Sequence, residues 1–247
     1  MAILIAAVGL IVALERTRRW RFRPAPFLRR RFGTDVAYLV TGHVATAGVA
    51  LGWVAVGGAL VGRLGVPRLH MSRWLAVPLA VVALDAGNYA AHWLLHRVDA
   101  LWEFHKIHHS SPTLDWLATF RSHLVEQALR RLVAPLLLIV AGVPVDVAVS
   151  AAAIFVGWAV LNHANVRVPL GALEPLLITP RLHRLHHVPA TTERNLGTML
   201  ALWDRLRGTL VAADPARAHS FGTGEPEPYP EGWWRQLVEP VRRLARG

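Results

Sequence analysis

Ten of the thirteen histidines in this chain fall into five groups with the spacing of metal ligands. They are His92 and His96 in HWLLH, His105, His108 and His109 in HKIHH, His123 in RSH, His163 in NHAN, and His183, His186 and His187 in HRLHH. Neutral imidazole is a nitrogen donor to iron, copper, zinc or nickel. Helical residues at i, i+3 and i+4 share a face, so the HxxxH pair and each HxxHH triplet present their rings together. The pair and the two triplets supply eight imidazoles, and His163 and His123 raise the number to ten. Two five- or six-coordinate ions need about that many, with positions left for a bridge, oxygen or substrate. Singly, each motif is weak. An isolated HxxxH is often incidental, His163 also fits an interface residue after an apolar helix, and His123 also fits a supporting or head-group contact beside Arg121. Together they predict a metal centre with two ions. His43, His70 and His219 stand apart and read as structural.

Other side chains are placed to support that centre. Asp85 lies seven residues before His92, two turns away on the same helical face. An intramembrane carboxylate is a functional candidate, but its depth favours a hydrogen-bonding or packing role over ligation. Asn88, four before His92, is placed to orient that ring, and Glu103 beside the first triplet is placed to do the same. Arg121 neighbours His123. Trp93, Trp102, Trp116, Trp158 and Trp203 read as interface anchors.

The elements that position these residues are apolar. The chain has 247 residues, 53% of them hydrophobic and only 17% charged, whereas soluble domains carry about a quarter charged residues. Residues 36–62 contain no Asp, Glu, Lys or Arg, 74–91 only Asp85, and 132–162 only Asp146. A span needs about 20 mostly apolar residues, so an integral membrane protein is expected. Residues 36–62 and 74–96 are expected to cross, and 128–162 to form a helical hairpin turning at AGVPVD (141–146). Residues 1–14 read as a short apolar helix entering the bilayer, without the basic start or cleavage site of a secretory signal. Three regions follow: an apolar and basic segment at 1–35, a membrane-embedded domain at 36–210 and a cytoplasmic tail at 211–247.

The net charge of +11 does not point to nucleic acid. Eight arginines fall within residues 16–31, between apolar segments, where the positive-inside rule places topology signals and where anionic head groups lie. With that cluster in the cytoplasm, every histidine group falls on the cytoplasmic side. The arginine-rich, lysine-poor composition suits a GC-rich bacterial genome, hence a bacterial inner membrane. Cysteine is absent, which excludes thiolate ligands and iron–sulfur clusters in this chain.

The words HWLLH, FHKIHHSSPTLDWLATFRSH, NHAN, TPRLHRLHH and LWDRLRGT, in that order, resemble the fatty acid hydroxylase / sterol desaturase superfamily over about residues 80–210. The resemblance implies an all-α integral membrane fold with about four transmembrane helices and a cytoplasmic histidine-rich helical cap. It also implies a non-haem di-iron centre that uses O2 as cosubstrate to hydroxylate or desaturate a C–H bond of a membrane lipid or sterol-like substrate. Carried over by match, the ligands are His92, His96, His105, His108, His109, His163, His183, His186 and His187, with His123 a candidate for a further nitrogen. Zinc is able to replace iron in purified protein, given its higher intrinsic affinity. Electrons are expected from a separate protein, a ferredoxin or a cytochrome b5-like donor with its reductase. The chain departs from the family pattern at Trp93, where arginine is common, and at Asn195-Leu196-Gly197, where Asn-Tyr-Gly is common; Asn195 keeps a place among the supporting residues. Asn165 and Arg167 stand where some members have a second histidine.

Two other classes compete. A non-redox, transporter-like metal-binding membrane protein should place ligands at mid-membrane along a polar path, but only Asp85, Asn88 and His43 are deep. A metal-dependent lipid hydrolase should mix carboxylates among the histidines, and the candidate ligand set has none.

Overall fold

The computed structural model describes residues 2–65, 70–130, 138, 141–212 and 220–246. Among them the regular elements are all helical, and the only β pairings are isolated bridges between Arg21 and Val166 and between Leu177 and Leu200.

The apolar opening forms α1 (Ala2–Arg16), ending where the arginine-rich stretch and Pro24 begin. Helix α2 (Phe32–Leu64) has 33 residues and is stopped by Gly65, whose N–H still bonds the Val61 carbonyl while its left-handed φ of 61° turns the chain out of the helix. At 1.5 Å per residue α2 is about 50 Å long, longer than the roughly 30 Å hydrocarbon layer. Helix α3 (Arg73–Arg97) carries Pro78 near its start and HWLLH in its last turns. Extended Val98 then turns the chain straight into α4 (Asp99–His109), which carries HKIHH. A 3-10 turn, Trp116–Phe120, is capped by Asp115, whose carboxylate accepts from the Leu117 and Ala118 N–H groups. Helix α5 is described over 124–130; the rest of the expected first hairpin arm, apart from helical residue 138, lies outside the described residues, as does His219. The AGVPVD turn forms around Gly142 (φ 66°), and Pro144 leads into α6 (Val145–His163). Helix α7 (Pro180–His186) starts on Thr179, whose side chain accepts the Leu182 N–H, with Pro180 at the first position that suits it. Helices α8 (Leu202–Arg207) and α9 (Trp233–Leu244) complete the described chain.

The core sits where α3 lies on α6. Ala76, Ala80, Val81 and Leu84 pack against Val147 and Ala151, small residues that allow close approach. Helix α1 closes the other end of α6 through Ile11, Val160 and Ala164. On the outer faces Ile3, Ile5, Leu10, Val44, Trp74, Leu79, Val145 and Val149 are all exposed. Helices α3 and α6 are long and apolar enough to cross a membrane.

Two parts of the chain are more integrated than their sequence suggests. Arg29, from the basic cluster, is buried and ion-paired with Asp35 (2.6 Å) and Asp115, while Arg121 pairs with the other oxygen of Asp35. This network binds the start of α2 to the segment after HKIHH. The C-terminal segment also folds back: α9 packs on α4 and α2, and its buried Gln236 accepts a hydrogen bond from Arg121 (3.1 Å).

Candidate metal centre

Nine imidazoles converge in the interior, in two groups. The first holds His92, His96, His105, His109 and His186; the second holds His108, His163, His183 and His187. Within each group the candidate ligand atoms all lie within 4.8 Å of one another, and every residue is buried. The two triplets are shared out in opposite senses. From α4 the i and i+4 rings, His105 and His109, enter the first group, and the i+3 ring, His108, enters the second. From α7 and its C-cap the i and i+4 rings, His183 and His187, enter the second group, and His186 enters the first. The α3 pair completes the first group, and His163 at the end of α6 completes the second. The groups abut: the His109 and His187 rings stack at 4.6 Å.

The outer ring nitrogens decide what the inner ones can do. Nδ1 of His92 donates to the Leu196 carbonyl (2.7 Å), that of His108 to Arg121 O (3.0 Å), that of His163 to Ala159 O (2.8 Å) and that of His186 to Arg194 O (3.0 Å). A carbonyl only accepts, so these Nδ1 atoms carry the proton and each neutral ring turns a bare Nε2 lone pair inward. Yet Nε2 of His108 stands 3.0 Å from Nε2 of His163. Two lone pairs at that distance repel unless a cation lies between them. His186 Nε2 and both nitrogens of His109 have no hydrogen-bond partner at all. Buried polar atoms without partners cost about 1–3 kcal/mol each; metal ions would satisfy His186 Nε2 and one nitrogen of His109. The donor set therefore fits two ions that accept imidazole nitrogen.

Burial is the largest influence on the rings of α4 and α7, followed for most of them by neighbouring imidazoles. It holds His105, His108, His109, His183, His186 and His187 well below the ordinary imidazole range. They are neutral at physiological pH, the form that binds metal.

One loop supplies two of the orienting carbonyls. Asn195 adopts a left-handed φ of 53°, and its side chain bonds the Leu182 and Val211 carbonyls and the Val211 N–H. Its neighbours Arg194 and Leu196 then aim their carbonyls at His186 and His92. Gly197 has no room for a side chain: a Cβ would lie 2.9 Å from Asp204 Oδ2 and from Leu200 O. Buried Asp204 receives the Leu196 and Gly197 N–H groups (3.0 and 2.7 Å) and the Thr209 hydroxyl (2.6 Å). Asp85 holds the other end, accepting from Met199 N and Leu200 N (both 2.9 Å) and from Trp203 Nε1 (2.8 Å).

Several expected roles change. His123 is in neither group: its Nε2 donates to Leu237 O (3.1 Å) and its Nδ1 accepts from Val125 N (3.0 Å), so both ring nitrogens are taken by backbone. Asn88 spends its hydrogen bonds elsewhere than on His92: it donates to Thr198 Oγ1 (2.8 Å) and accepts from Arg130 (2.7 Å). Glu103 pairs with Lys106, which also pairs with Glu225 at 2.5 Å, and orients no ring. Arg121 acts through its backbone, while its side chain serves the Asp35 network. Trp102 lies tilted against His96 and His109 (ring centroids 5.0 and 5.2 Å apart), walling the site instead of anchoring at an interface.

Two carboxylates escaped the sequence reading. Glu126 is buried, with Oε1 3.1 Å from His105 Nδ1, although off the line of the ring N–H, and 2.9 Å from Arg130. Burial pushes its carboxyl up to about 7. Glu193 stands 3.5 Å from His96 Nδ1. The available signal for Glu126 was an acidic residue with arginine at i+4, leading into an apolar helix.

Paired, carboxylate-free imidazole groups at the ends of two membrane-type helices fit a class of metal proteins, and the comparisons agree with it. The model of the fatty acid hydroxylase family matches residues 77–209, more than half of the chain, and the chain belongs to that family. It is 36% identical to the ornithine lipid hydroxylase OlsE of Rhizobium tropici, over 69% of this chain and 51% of that protein. It is 31% identical to the alkylglycerol monooxygenase of Danio rerio over 60% of this chain and 34% of that protein, and 28% identical to the human one over the same shares. The chain thus spans from about a third to about half of the length of these relatives. No solved structure matches it.

Proposed function

We propose that this protein is a membrane-bound, O2-dependent hydroxylase acting on a C–H bond of a lipid, with two iron ions held by the nine converging imidazoles. The observation that carries the reading is the pair of buried imidazole groups with no carboxylate among the candidate ligands, in one of which the Nε2 lone pairs of His108 and His163 face one another. The names of the relatives, a lipid hydroxylase and monooxygenases, favour hydroxylation over desaturation. When bound, iron supplies O2 activation and oxidation of an unactivated C–H bond. The chain's own contribution is to fix the ligand directions, keep the imidazoles neutral and exclude water. Carbonyls 121, 159, 194 and 196 set four ring orientations, and Trp102 shields His96 and His109.

The proposed arrangement in the cell has about four spans, α2, α3 and the two arms of a hairpin ending in α6, with α1 entering the bilayer and a cytoplasmic cap of α4, α7, α8 and α9. The exposed apolar faces of α1, α2, α3 and α6 support it, as does the arginine-rich stretch between α1 and α2 on the side where cytoplasmic loops concentrate basic residues. The membrane domain covers 36–210, strapped by α9. Electrons come from a separate ferredoxin or cytochrome b5-like donor.

The test is lipid mass spectrometry of cells expressing the protein under 18O2, beside the double variant His108→Ala, His186→Ala. A lipid that gains one 18O only with the intact chain is the expected result. Loss of two hydrogens without added oxygen would replace hydroxylase by desaturase. No oxygen-dependent change, with iron-loaded protein and a working donor, would overturn the reading.

A further inference from the structure

A cavity lies outside the imidazole groups. It has a volume of about 730 Å³, and five arginines line it, Arg19, Arg23, Arg167, Arg181 and Arg184, against one carboxylate, Glu174. Arg184 lies inside the HRLHH word, but its side chain turns away from the imidazoles. It is 4% exposed, donates to the Leu114 carbonyl (3.1 Å), and is stacked between the Phe22 and Phe221 rings at 5.0 and 4.9 Å. Arg167 stacks on the Phe22 ring as well, at 5.6 Å. Among the described residues no carboxylate forms an ion pair with Arg19, Arg167, Arg181 or Arg184.

A topology signal does not need this construction. Buried cations are normally paired or coordinated, and planar guanidinium groups match phosphate and carboxylate by paired hydrogen bonds. The cavity is also built on purpose-made joints. Asn165, from the NHAN word, donates to Arg23 O (2.7 Å) and accepts from Arg23 N (3.3 Å), and Phe22 N donates to Asn165 O (3.3 Å). These bonds lock the segment after α1 to the segment after His163. Exposed Leu173 and Leu176 flank the lining residue Glu174, so the rim offers apolar contact beside the charge. One wall is α7, which carries ligands of the four-imidazole group.

We propose that this cavity binds the anionic headgroup, phosphate or carboxylate, of a membrane lipid. The lipid is thereby held against the face of α7 behind the metal centre, and the enzyme selects acidic lipids as substrates. The selection step rests on the hydroxylase reading; the binding site does not.

The test uses full-length, iron-loaded protein in a neutral detergent, without O2 or reductant. It is given equal amounts of phosphatidylglycerol and phosphatidylcholine, and retained lipid is counted by native mass spectrometry. Expected is at least fivefold preference for phosphatidylglycerol, lost in Arg167→Gln, Arg181→Gln, restored in Arg167→Lys, Arg181→Lys, and kept in the control Arg18→Gln, Arg30→Gln, all with unchanged iron content. Arg167 and Arg181 are exposed, so the fold tolerates their replacement. Equal retention of the two lipids would overturn the proposal. So would an equal fall in the control pair, which would mean general surface charge, or saturable binding of inorganic phosphate with no lipid retained, which would mean a free-anion site. Under 18O2, retained phosphatidylglycerol with no oxygenated lipid of any class would count against the hydroxylase reading and leave the headgroup site standing. Oxygenation confined to neutral lipids would overturn the selection step.

Discussion

His108 and His163 face each other through their Nε2 atoms at 3.0 Å, while the Nδ1 of each is pinned to a carbonyl. One ring comes from α4 and the other from α6, 55 residues apart. Neither can offer the other a proton, so the contact is stable only with a cation between the rings. Replacing one ligand in each group should separate the two ions. His186→Ala is expected to empty the five-imidazole group first, and His108→Ala the four-imidazole group. Metal analysis should find close to one ion per chain in each single variant and almost none in the double. Two ions retained in both singles would reject the assignment.

Glu126 should matter to metal retention although it is no ligand. Partners that orient a ligating histidine typically contribute about 10–100-fold to metal affinity. Glu126→Leu is expected to lose metal to a chelator at least tenfold faster than the wild type, while Glu126→Gln, which keeps an acceptor near His105, loses less of that resistance. A chelator competition series measures both, and equal behaviour of the two variants would remove the orienting role.

The Asp35 network predicts a stability effect remote from the metal. Asp35 answers both Arg29 and Arg121, and all three are buried. Removing one member of a buried ion-pair network costs about 3–5 kcal/mol because charge is left uncompensated. Asp35→Asn should lower the thermal midpoint in detergent by roughly 10 °C, taking about 2–4 °C per kcal/mol for a chain of this size. A shift under 2 °C would show the network to be replaceable by solvent.

Acid should destabilise the metal-free protein. Burial holds the six imidazoles of α4 and α7 well below 6.5, their unfolded value. Below that pH the unfolded chain binds protons that the folded chain refuses. The stability present above about pH 6.5 is therefore lost as the pH falls through and beneath it. Chelator-treated protein should show a thermal midpoint that drops steadily from pH 7 to pH 5. A flat profile would mean that water already reaches the rings.

The candidate ligands were legible because their pattern is local. HxxxH and HxxHH state their own geometry, and nine of the ten expected rings do converge. Spans 74–96 and the second hairpin arm were legible from apolar runs, and they are α3 and α6. His123 was not legible, because its fate depends on Leu237, more than a hundred residues away. Glu126 was hidden for a similar reason: only the docking of α5 on α4 brings it to His105. The arginines read as a topology signal since sequence shows their number but not that Arg29 turns into a buried pair or that Arg184 faces Phe22. Proximity between distant segments is what composition and spacing do not encode.

Four of the rings take their orientation from backbone carbonyls, and this changes what kind of genetic damage the centre can survive. A carbonyl is present whatever residue carries it, so substitutions at Arg194 or Leu196 leave the acceptor in place as long as Asn195, Gly197 and Asp204 hold the loop. The protonation pattern of the centre is thus written in chain path more than in side-chain identity. It tolerates drift at those positions and fails at once on a one-residue insertion or deletion between His187 and Asp204.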